Sequence, residues 1–304
     1  MLNNSTYAPH VDRVLIKKTP REHLPSFLGI GFPKTGTTWL HAMLAEHPDI
    51  QLPEYPISPE KKEFNFWNEY KPHLSTERYI DTFRSLANKQ VKGELSVLYT
   101  ETECLALIRE FLSDIKIIIG FRNPIDRIFS SYSHYKRNSG SDRDFKSWFI
   151  NIEQRYLETY NYNRVMNDLT AYKPQQVFQY IYGNLVANPE NEIRKIYYFL
   201  GVDETFIPGA AKKGINVSYR FKSRRFHLAL SEIILGIYGK GRGRKMIHTP
   251  SCRPPLINAL LTWNEDPVIR KKERIEYFDY IAEIIYPFCD KFLKHHNLHL
   301  EDFW

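Results

Sequence analysis

The chain has 304 residues, of which 42% are hydrophobic and 25% charged, with 42 Lys and Arg against 35 Asp and Glu. This composition is typical of a globular protein with a large core and excludes a disordered or fibrous one. No apolar run reaches the roughly 18 residues of a membrane span, and the N-terminus lacks an apolar signal core, so we expect a cytoplasmic protein without a membrane span. Three cysteines without zinc-site spacing predict neither a disulfide framework nor a bound metal.

Residues 1–25 are polar, contain three prolines and show no sustained periodicity, which predicts an N-terminal arm. We expect a single domain over residues 26–304. The apolar run SFLGIGF (26–32) predicts a strand, and the spacing in TTWLHAMLAEHP (37–48) predicts a helix. The first unit of the fold is therefore a strand, a tight turn and a helix.

Two further segments repeat this order. The run IKIIIGF (115–121) precedes a helix in which Pro124 fits the first turn. The run QVFQYIY (176–182) precedes a helix that Asn188 caps and Gly201 closes, and a long helix is predicted from Pro267 to His296. Strands that alternate with helices predict an α/β fold with a parallel sheet flanked by helices.

The first turn, GFPKTGTT (31–38), places Lys34, Gly36 and the hydroxyl groups of Thr37 and Thr38 between a strand and a helix N-terminus. Backbone N–H groups and the positive end of the helix dipole meet there, and Lys34 adds a full charge, which predicts an anion site. The turn is not a Walker A loop, because that motif needs the lysine directly after its last glycine, whereas Lys34 precedes Gly36.

PKTGTTWL (33–40) resembles the 5′-phosphosulfate loop of sulfotransferases that use 3′-phosphoadenosine 5′-phosphosulfate (PAPS). RNPIDRIFSSY (122–132) is similar to the 3′-phosphate motif of the same family, in which an arginine and a serine eight residues later hold the 3′-phosphate. The resemblance implies a P-loop NTPase-like sulfotransferase fold, PAPS as co-substrate, adenosine 3′,5′-bisphosphate (PAP) as product, and no metal. The nucleotide contacts that it implies are Lys34, Thr35, Gly36, Thr37, Thr38, Trp39, Arg122 and Ser130.

KEFNFW (62–67) resembles a segment of the heparan-sulfate-type, carbohydrate-directed branch in which the glutamate is the base towards the acceptor, which implies this role for Glu63. The sequence GELS (93–96) continues the likeness, but Leu95 stands where that branch has lysine, which leaves recognition of an acidic sugar open. Phenol- and alcohol-directed members use a histidine, and His134 is the alternative base, because it lies one helical turn after Ser130.

Residues 212–245 contain ten Lys and Arg against the single acidic residue Glu232, which suits an anionic ligand. Within this segment GKGR (239–242) resembles the family's Lys-Gly-Arg loop that closes over the 3′-phosphate. This likeness implies Lys240, Gly241 and Arg242 as further nucleotide contacts. Other basic residues could take that role: Arg220, Arg224 and Arg225.

These patterns predict a sulfotransferase that moves a sulfuryl group from PAPS to a hydroxyl, or an amine, of a glycan, a lipid or a small molecule, with a glycan or glycosylated small molecule favoured. Catalysis by positioning and charge assigns Lys34 to the leaving oxygen. The aromatic residues Phe64, Phe66, Trp67 and Tyr70 are candidates for contact with the acceptor.

Two alternatives stay open at this point. One is a small-molecule kinase built on the same strand, loop and helix, although the sequence lacks the Walker A lysine that such an enzyme would carry. The other is a non-enzymatic RNA- or DNA-binding protein that uses residues 212–245, whose affinity would fall steeply with salt. The favoured interpretation involves no nucleic acid.

Overall fold

The computed structural model describes residues 11–53, 63–68, 74–86, 91–139, 141, 143–152, 157–212, 220–248, 253–266 and 268–302. The chain forms two compact units. The first comprises Met1–Pro124, Gln154–Ile215 and Ile285–Trp304, and the second comprises Ile125–Glu153 and Asn216–Ile284.

The first unit is built on five parallel strands in the order β2-β3-β1-β4-β5. The prediction of a parallel α/β sheet is therefore confirmed. The strands are β1 (Phe27–Gly29), β2 (Ile50–Gln51), β3 (Val91–Leu95), β4 (Lys116–Phe121) and β5 (Val177–Ile181).

Helices lie before, between and after the strands. In chain order they are α1 (Arg13–Lys18), α2 (Thr37–Glu46), α3 (Thr76–Arg84), α4 (Thr102–Phe111), α5 (Pro124–Ser139), α6 (Phe145–Ile150), α7 (Tyr162–Leu169), α8 (Tyr182–Ala187), α9 (Pro189–Leu200), α10 (Gly209–Lys212), α11 (Arg224–His248), α12 (Pro255–Trp263) and α13 (Val268–His296).

Local signals in the sequence set several of these boundaries. The side chain of Asn188 accepts a hydrogen bond from the Asn191 N–H at 3.2 Å, and Pro189 is the first residue of α9. Gly201 ends that helix in the left-handed region with φ 82°. Helix α5 begins at Pro124, as predicted, and the predicted C-terminal helix is confirmed as α13.

Strand β3 differs from the other strands in having a polar face. Val91 and Leu95 pack in the core with residues of β1 and α2, whereas Lys92 and Glu94 point to the opposite face, because side chains alternate along a strand. Both polar side chains are buried. The sequence did not predict β3, because the strand is short and Gly93 interrupts its alternation of apolar and polar residues.

Residues 11–26, just before β1, contain structure that the sequence does not predict. They include α1, whose N-cap Asp12 accepts hydrogen bonds from the N–H groups of Val14 and Leu15 at 3.0 and 2.9 Å. Val11, Ile16 and Leu24 are buried in this segment. A helix of six residues is too short to display a sustained hydrophobic period.

The second unit has a small core of its own, formed by Leu230, Ile234, Met246, Ile247 and Leu261. Strands β6 (Arg220–Phe221) and β7 (Glu265–Asp266) pair antiparallel beside it. Helix α11 is broken at Gly239, where φ is 74° and ψ is 163°. In the described part of the chain, no helix of either unit is long and apolar enough to cross a bilayer.

Candidate active site

Two residues determine the backbone conformation of the turn between β1 and α2. Lys34 and Gly36 have positive φ angles of 70° and 90°, so the chain twists twice before the helix begins. A Cβ atom on Gly36 would lie 3.0 Å from Leu185 Cδ2 and 3.3 Å from the Tyr182 ring. Glycine is therefore required at position 36 by both conformation and space.

Buried hydrogen bonds hold the turn against the sheet. The Thr35 hydroxyl donates to the Phe32 carbonyl at 2.7 Å, and the Tyr180 hydroxyl donates to the Thr35 carbonyl at 3.2 Å. A Cβ atom on Gly31 would lie 2.6 Å from the Gly120 nitrogen of β4, so the chain passes β4 at close range. The turn is consequently fixed by its own backbone and by contacts with β4 and β5.

Helix α2 begins directly after the turn. The N–H groups of Trp39 and Leu40 donate to the Gly36 carbonyl at 2.9 and 3.0 Å. Because the first N–H groups of a helix have no acceptor inside it, this end offers donors and the positive end of the dipole. Thr38 is exposed here and Thr37 half-buried, whereas the Trp39 indole is buried and donates to the Ala210 carbonyl at 3.2 Å.

Arg122 connects the motif at 122–132 to the turn of the motif at 33–40. It follows β4, is 9% exposed, and donates from Nη1 to the Lys34 carbonyl at 3.0 Å across 88 residues of sequence. Its guanidinium carbon lies 4.3 Å from the centre of the Tyr182 ring, and the Tyr162 hydroxyl donates to its carbonyl at 2.7 Å. The Arg122 guanidinium therefore lies against the backbone of Lys34, in the turn before α2.

The segment Glu63–Asn68 lies in the same unit. Glu63 is half-buried, and the five residues that follow it are buried. Asn65 has a φ of 49°, in the left-handed region that Asn tolerates better than most residues. Lys62 and Tyr70, also singled out in the sequence, lie outside the described residues.

The aromatic residues of this segment form part of the core. The Phe66 ring stacks on Tyr79 with centroids 3.9 Å apart, and Trp67 and Phe64 meet the edge of the same tyrosine at 5.8 and 6.1 Å. Phe64, Phe66 and Trp67 are almost fully buried. Their predicted contact with an acceptor is wrong, because packing against α3 leaves their rings no exposed face.

A buried carboxyl group lies beneath the segment. Glu94 of β3 is 1% exposed and accepts hydrogen bonds from the hydroxyls of Tyr79, Tyr99 and Ser96 at 2.8, 3.0 and 2.9 Å. Removal from water raises its pKa from 4.5 to about 7, although these hydrogen bonds act in the opposite direction. Glu94 lies in the GELS motif, but the sequence predicts no role for this residue.

The remaining predicted site residues belong to the second unit. Ser130 is buried in α5, and His134 is half-buried on the same helix. Arg242 is exposed, with its guanidinium carbon 5.8 Å from the Tyr238 ring. The side chain of Lys240 and the surroundings of Gly241 lie outside what the structure describes, as do the side chains of Arg220 and Arg224.

The loop implied for residues 240–242 is wrong. These residues belong to helix α11, which resumes directly after the break at Gly239. The glycine-rich sequence therefore produces a kink between two helical stretches instead of an open loop. Within the described residues no group of three or more His, Cys, Asp or Glu side chains is arranged to hold a metal ion.

A protein-family sequence model described as "Sulfotransferase family" matches residues 25–206, well over half of the chain. The chain belongs to the sulfotransferase family. The matched region includes the turn before α2, Glu63, Glu94 and Arg122, and the prediction of a sulfotransferase enzyme is confirmed.

Individual relatives agree with this assignment. Bifunctional heparan sulfate N-deacetylase/N-sulfotransferase 2 of Homo sapiens is 28% identical over 204 residues, which cover 61% of this chain and 23% of the human protein. Membrane-associated sulfotransferase kil1 of Dictyostelium discoideum is 29% identical over 145 residues, covering 45% and 29% of the two chains. The predicted likeness to the heparan-sulfate-type branch is confirmed, over less than a third of each relative's length.

The fold also matches a solved structure. The sulfotransferase from Alicyclobacillus acidocaldarius superposes with a TM-score of 0.55 at 23% identity, covering 77% of this chain and 98% of that one. The predicted sulfotransferase fold, a parallel sheet flanked by helices, is thereby confirmed.

Proposed function

We propose that this sulfotransferase uses PAPS as its donor and transfers the sulfuryl group to a hydroxyl, or an amine, of a glycan or glycosylated small molecule. The observation that carries the proposal is the contact between Arg122 and the backbone of Lys34 at the N-terminus of α2. A donor with phosphate at both its 5′ and 3′ positions needs two cationic residues on one rigid frame, and the proposal assigns Lys34 and Arg122 to them.

The turn before α2 takes the 5′-phosphosulfate in this proposal. Thr37 and Thr38 offer hydroxyl groups, and the helix N-terminus offers N–H donors together with its dipole. Gly36 gives the turn the left-handed backbone that it needs, with a φ of 90° that a larger residue would adopt only under strain. Thr35 and Trp39 support the turn from behind, because their side chains are buried and bonded to carbonyl oxygens.

Arg122 takes the 3′-phosphate in this proposal. Its planar guanidinium suits two phosphate oxygens, and its position against the Tyr182 ring fixes the plane of the fork. Ser130 and Arg242, with Lys240 and Gly241, are assigned to the same phosphate by motif alone, and that assignment stays a prediction.

The chemical roles of Lys34 and Glu63 follow from where charge develops during the transfer. The acceptor oxygen or nitrogen forms a bond to sulfur while the bond from sulfur to the 5′-phosphate oxygen breaks and leaves its electron pair on that oxygen. Lys34 and the positive end of α2 stabilise this negative charge. Glu63 takes the proton that the acceptor loses, so the charge on the leaving group and the proton are handled on opposite sides of the sulfur.

A glycan acceptor is supported by the position of Glu63, which matches the base of the carbohydrate-directed branch, and by the names of the relatives. Leu95, which replaces that branch's lysine, packs in the core with Phe27 and therefore offers nothing to an acceptor. We accordingly propose a glycan whose recognition does not depend on a charge at this position. Location in the cytoplasm stays a prediction.

The test uses donor labelled in the sulfuryl group with three acceptor classes: a heparan-type polysaccharide freed of sulfate, simple phenols, and lipid alcohols. We expect label in the glycan and binding of one PAP per chain by calorimetry. Label only in phenol or lipid would contradict the glycan proposal, and absence of PAP binding would contradict PAPS as the donor. Salt-sensitive binding of RNA without any transfer would favour the nucleic-acid alternative.

A further inference from the structure

Besides the nucleotide turn, the structure contains a second buried network of hydrogen bonds, centred on Glu94. Resting on the function proposed above, we propose that Glu94 is a positioning residue that holds the segment Glu63–Asn68, and with it the base Glu63, against the carboxyl end of β3. The proposal stands on the hydrogen bonds and packing that link this carboxyl group to the segment.

Three hydroxyl groups converge on the Glu94 carboxyl. Tyr79 of α3 and Tyr99, four residues beyond β3, donate to one oxygen, and Ser96 donates to the other. These donors come from α3 and from the residues just after β3, so the carboxyl joins α3 to the end of β3. An apolar residue at position 94 would leave three buried hydroxyls without this acceptor, each a costly omission.

Two of the same hydroxyls also hold the segment that carries Glu63. The Asn65 N–H donates to the Ser96 oxygen at 3.2 Å, and the Trp67 indole donates to the Tyr79 oxygen at 3.0 Å. Because Ser96 and Tyr79 already give their protons to Glu94, their oxygens are oriented to accept from the segment. The carboxyl group thus sets the direction of both bonds.

A further bond and ring packing fix the far end of the segment. The Asn68 side chain donates to the Leu98 carbonyl at 3.2 Å, and Phe66 stacks on Tyr79. The left-handed backbone at Asn65 lies between these ties and Glu63. Displacement of Asn65 would therefore move Glu63, which lies two residues before it.

The matched variants are Ser96→Ala and Glu94→Gln, compared with Tyr172→Phe. Tyr172 is a control because its buried hydroxyl donates to the Leu105 carbonyl at 2.6 Å, away from the segment. We expect the first two variants to lose about tenfold or more in kcat, since a displacement on the order of 1 Å in a reacting group costs up to ~100-fold. PAP affinity and donor KM should stay near wild type in all three.

The double variant Glu63→Gln/Ser96→Ala separates positioning from general structural damage. If Ser96 acts through Glu63, removing the hydroxyl lowers kcat in the wild-type background and has no further effect once the base is gone. A merely structural role would lower kcat in both backgrounds. Should Glu94→Gln fail to fold, Ser96→Ala and the double variant decide the question alone.

The outcomes also separate this inference from the proposed function. If Glu63→Gln loses activity while Ser96→Ala and Glu94→Gln keep wild-type kcat, the positioning role is overturned and the base assignment stands. If Glu63→Gln itself keeps wild-type kcat, the base assignment is wrong and the positioning role falls with it. Binding of PAP, measured on the same proteins, tests the donor separately from both.

Discussion

The turn before α2 and the segment Glu63–Asn68 are held in place in different ways. The turn is shaped by positive φ angles at Lys34 and Gly36 and by bonds to its own carbonyl groups. The segment is held by side chains, through Ser96 and Tyr79, to a carboxyl group some thirty residues further along the chain. An anion site made from N–H groups needs a rigid backbone, whereas a base needs one side chain aimed correctly.

This difference has a practical consequence for mutation. A change inside the turn should alter charge stabilisation or nucleotide binding directly. A change beneath the segment should act on the base while leaving the nucleotide site intact. Four measurements test this separation, and they run from the largest expected effect to the smallest.

Replacement of Glu63 by Gln keeps the shape of the side chain and removes the proton acceptor. We expect kcat to fall by about 10²- to 10⁴-fold, because that is the usual contribution of a positioned general base. PAP binding, measured by calorimetry, should be unchanged, since the nucleotide turn has a separate support.

The companion variant is His134→Ala, assayed under the same conditions. We expect it to stay within a few fold of wild type. If the histidine variant loses the activity and the glutamine variant keeps it, the base is His134, and a phenol or simple alcohol becomes the better acceptor.

Lys34→Ala removes the full charge beside the leaving oxygen but keeps the helix N-terminus. We expect a loss on the order of 10²-fold in kcat, as for removal of one preorganised donor, with a much smaller change in PAP affinity. Steady-state kinetics and calorimetry on one preparation give both numbers. A variant that retains more than about a tenth of wild-type kcat would show that the dipole and threonines suffice without the lysine.

Arg122→Ala should weaken binding of the 3′-phosphorylated nucleotide by about 10- to 100-fold, since a bidentate charged contact contributes roughly 1.5 to 3 kcal/mol. A nucleotide without the 3′-phosphate serves as the control ligand. Any loss shared by both ligands measures the bond from Arg122 to the Lys34 carbonyl, which braces the turn. Equal losses for the two ligands would mean that Arg122 does not recognise the 3′-phosphate.

The pH dependence of stability reports on Glu94. Its pKa is raised from 4.5 to about 7, so between these values the folded protein keeps a proton that the unfolded chain releases. Stability contributed by that proton is complete below pH 4.5 and is lost as the pH rises through 7. We expect the wild type to lose about 1 kcal/mol more than Glu94→Gln between roughly pH 6 and 8.

Urea unfolding of the two proteins at each pH gives the difference directly. Burial raises the pKa of Tyr79 and Tyr99, so both tyrosines stay protonated in this range. Parallel pH profiles for the wild type and Glu94→Gln would mean that the carboxyl group is already ionised at pH 6.

Sequence alone predicted the features that short-range rules determine. The glycine turn, the cap at Asn188, the start of α5 at Pro124 and helix α13 all depend on residues close together in the chain. Strand β3 and the role of Glu94 were missed for one physical reason. Gly93 interrupts the short alternating pattern of β3, and the hydrogen bonds that satisfy the buried Lys92 and Glu94 go to residues distant in the sequence.

The kink at Gly239 shows that a very short resemblance can predict the wrong local structure. A resemblance of four residues implied a loop, yet glycine is compatible with a loop and with a break between helices, and the surrounding residues decide between them. The motifs at 33–40 and 122–132 were safer, because each combines a strand end, a turn and a helix start, and the structure brings Lys34 and Arg122 into contact.

The close approach of Gly31 to Gly120 has a consequence for directed evolution. Gly31 follows β1, and Gly120 lies in β4. A methyl group on Gly31 would collide with the backbone nitrogen of Gly120, which cannot move without disrupting β4. A library randomised at both codons and selected for activity should therefore return glycine at position 31 whatever acceptor is supplied. Engineers who wish to change acceptor preference therefore have no freedom at this crossing.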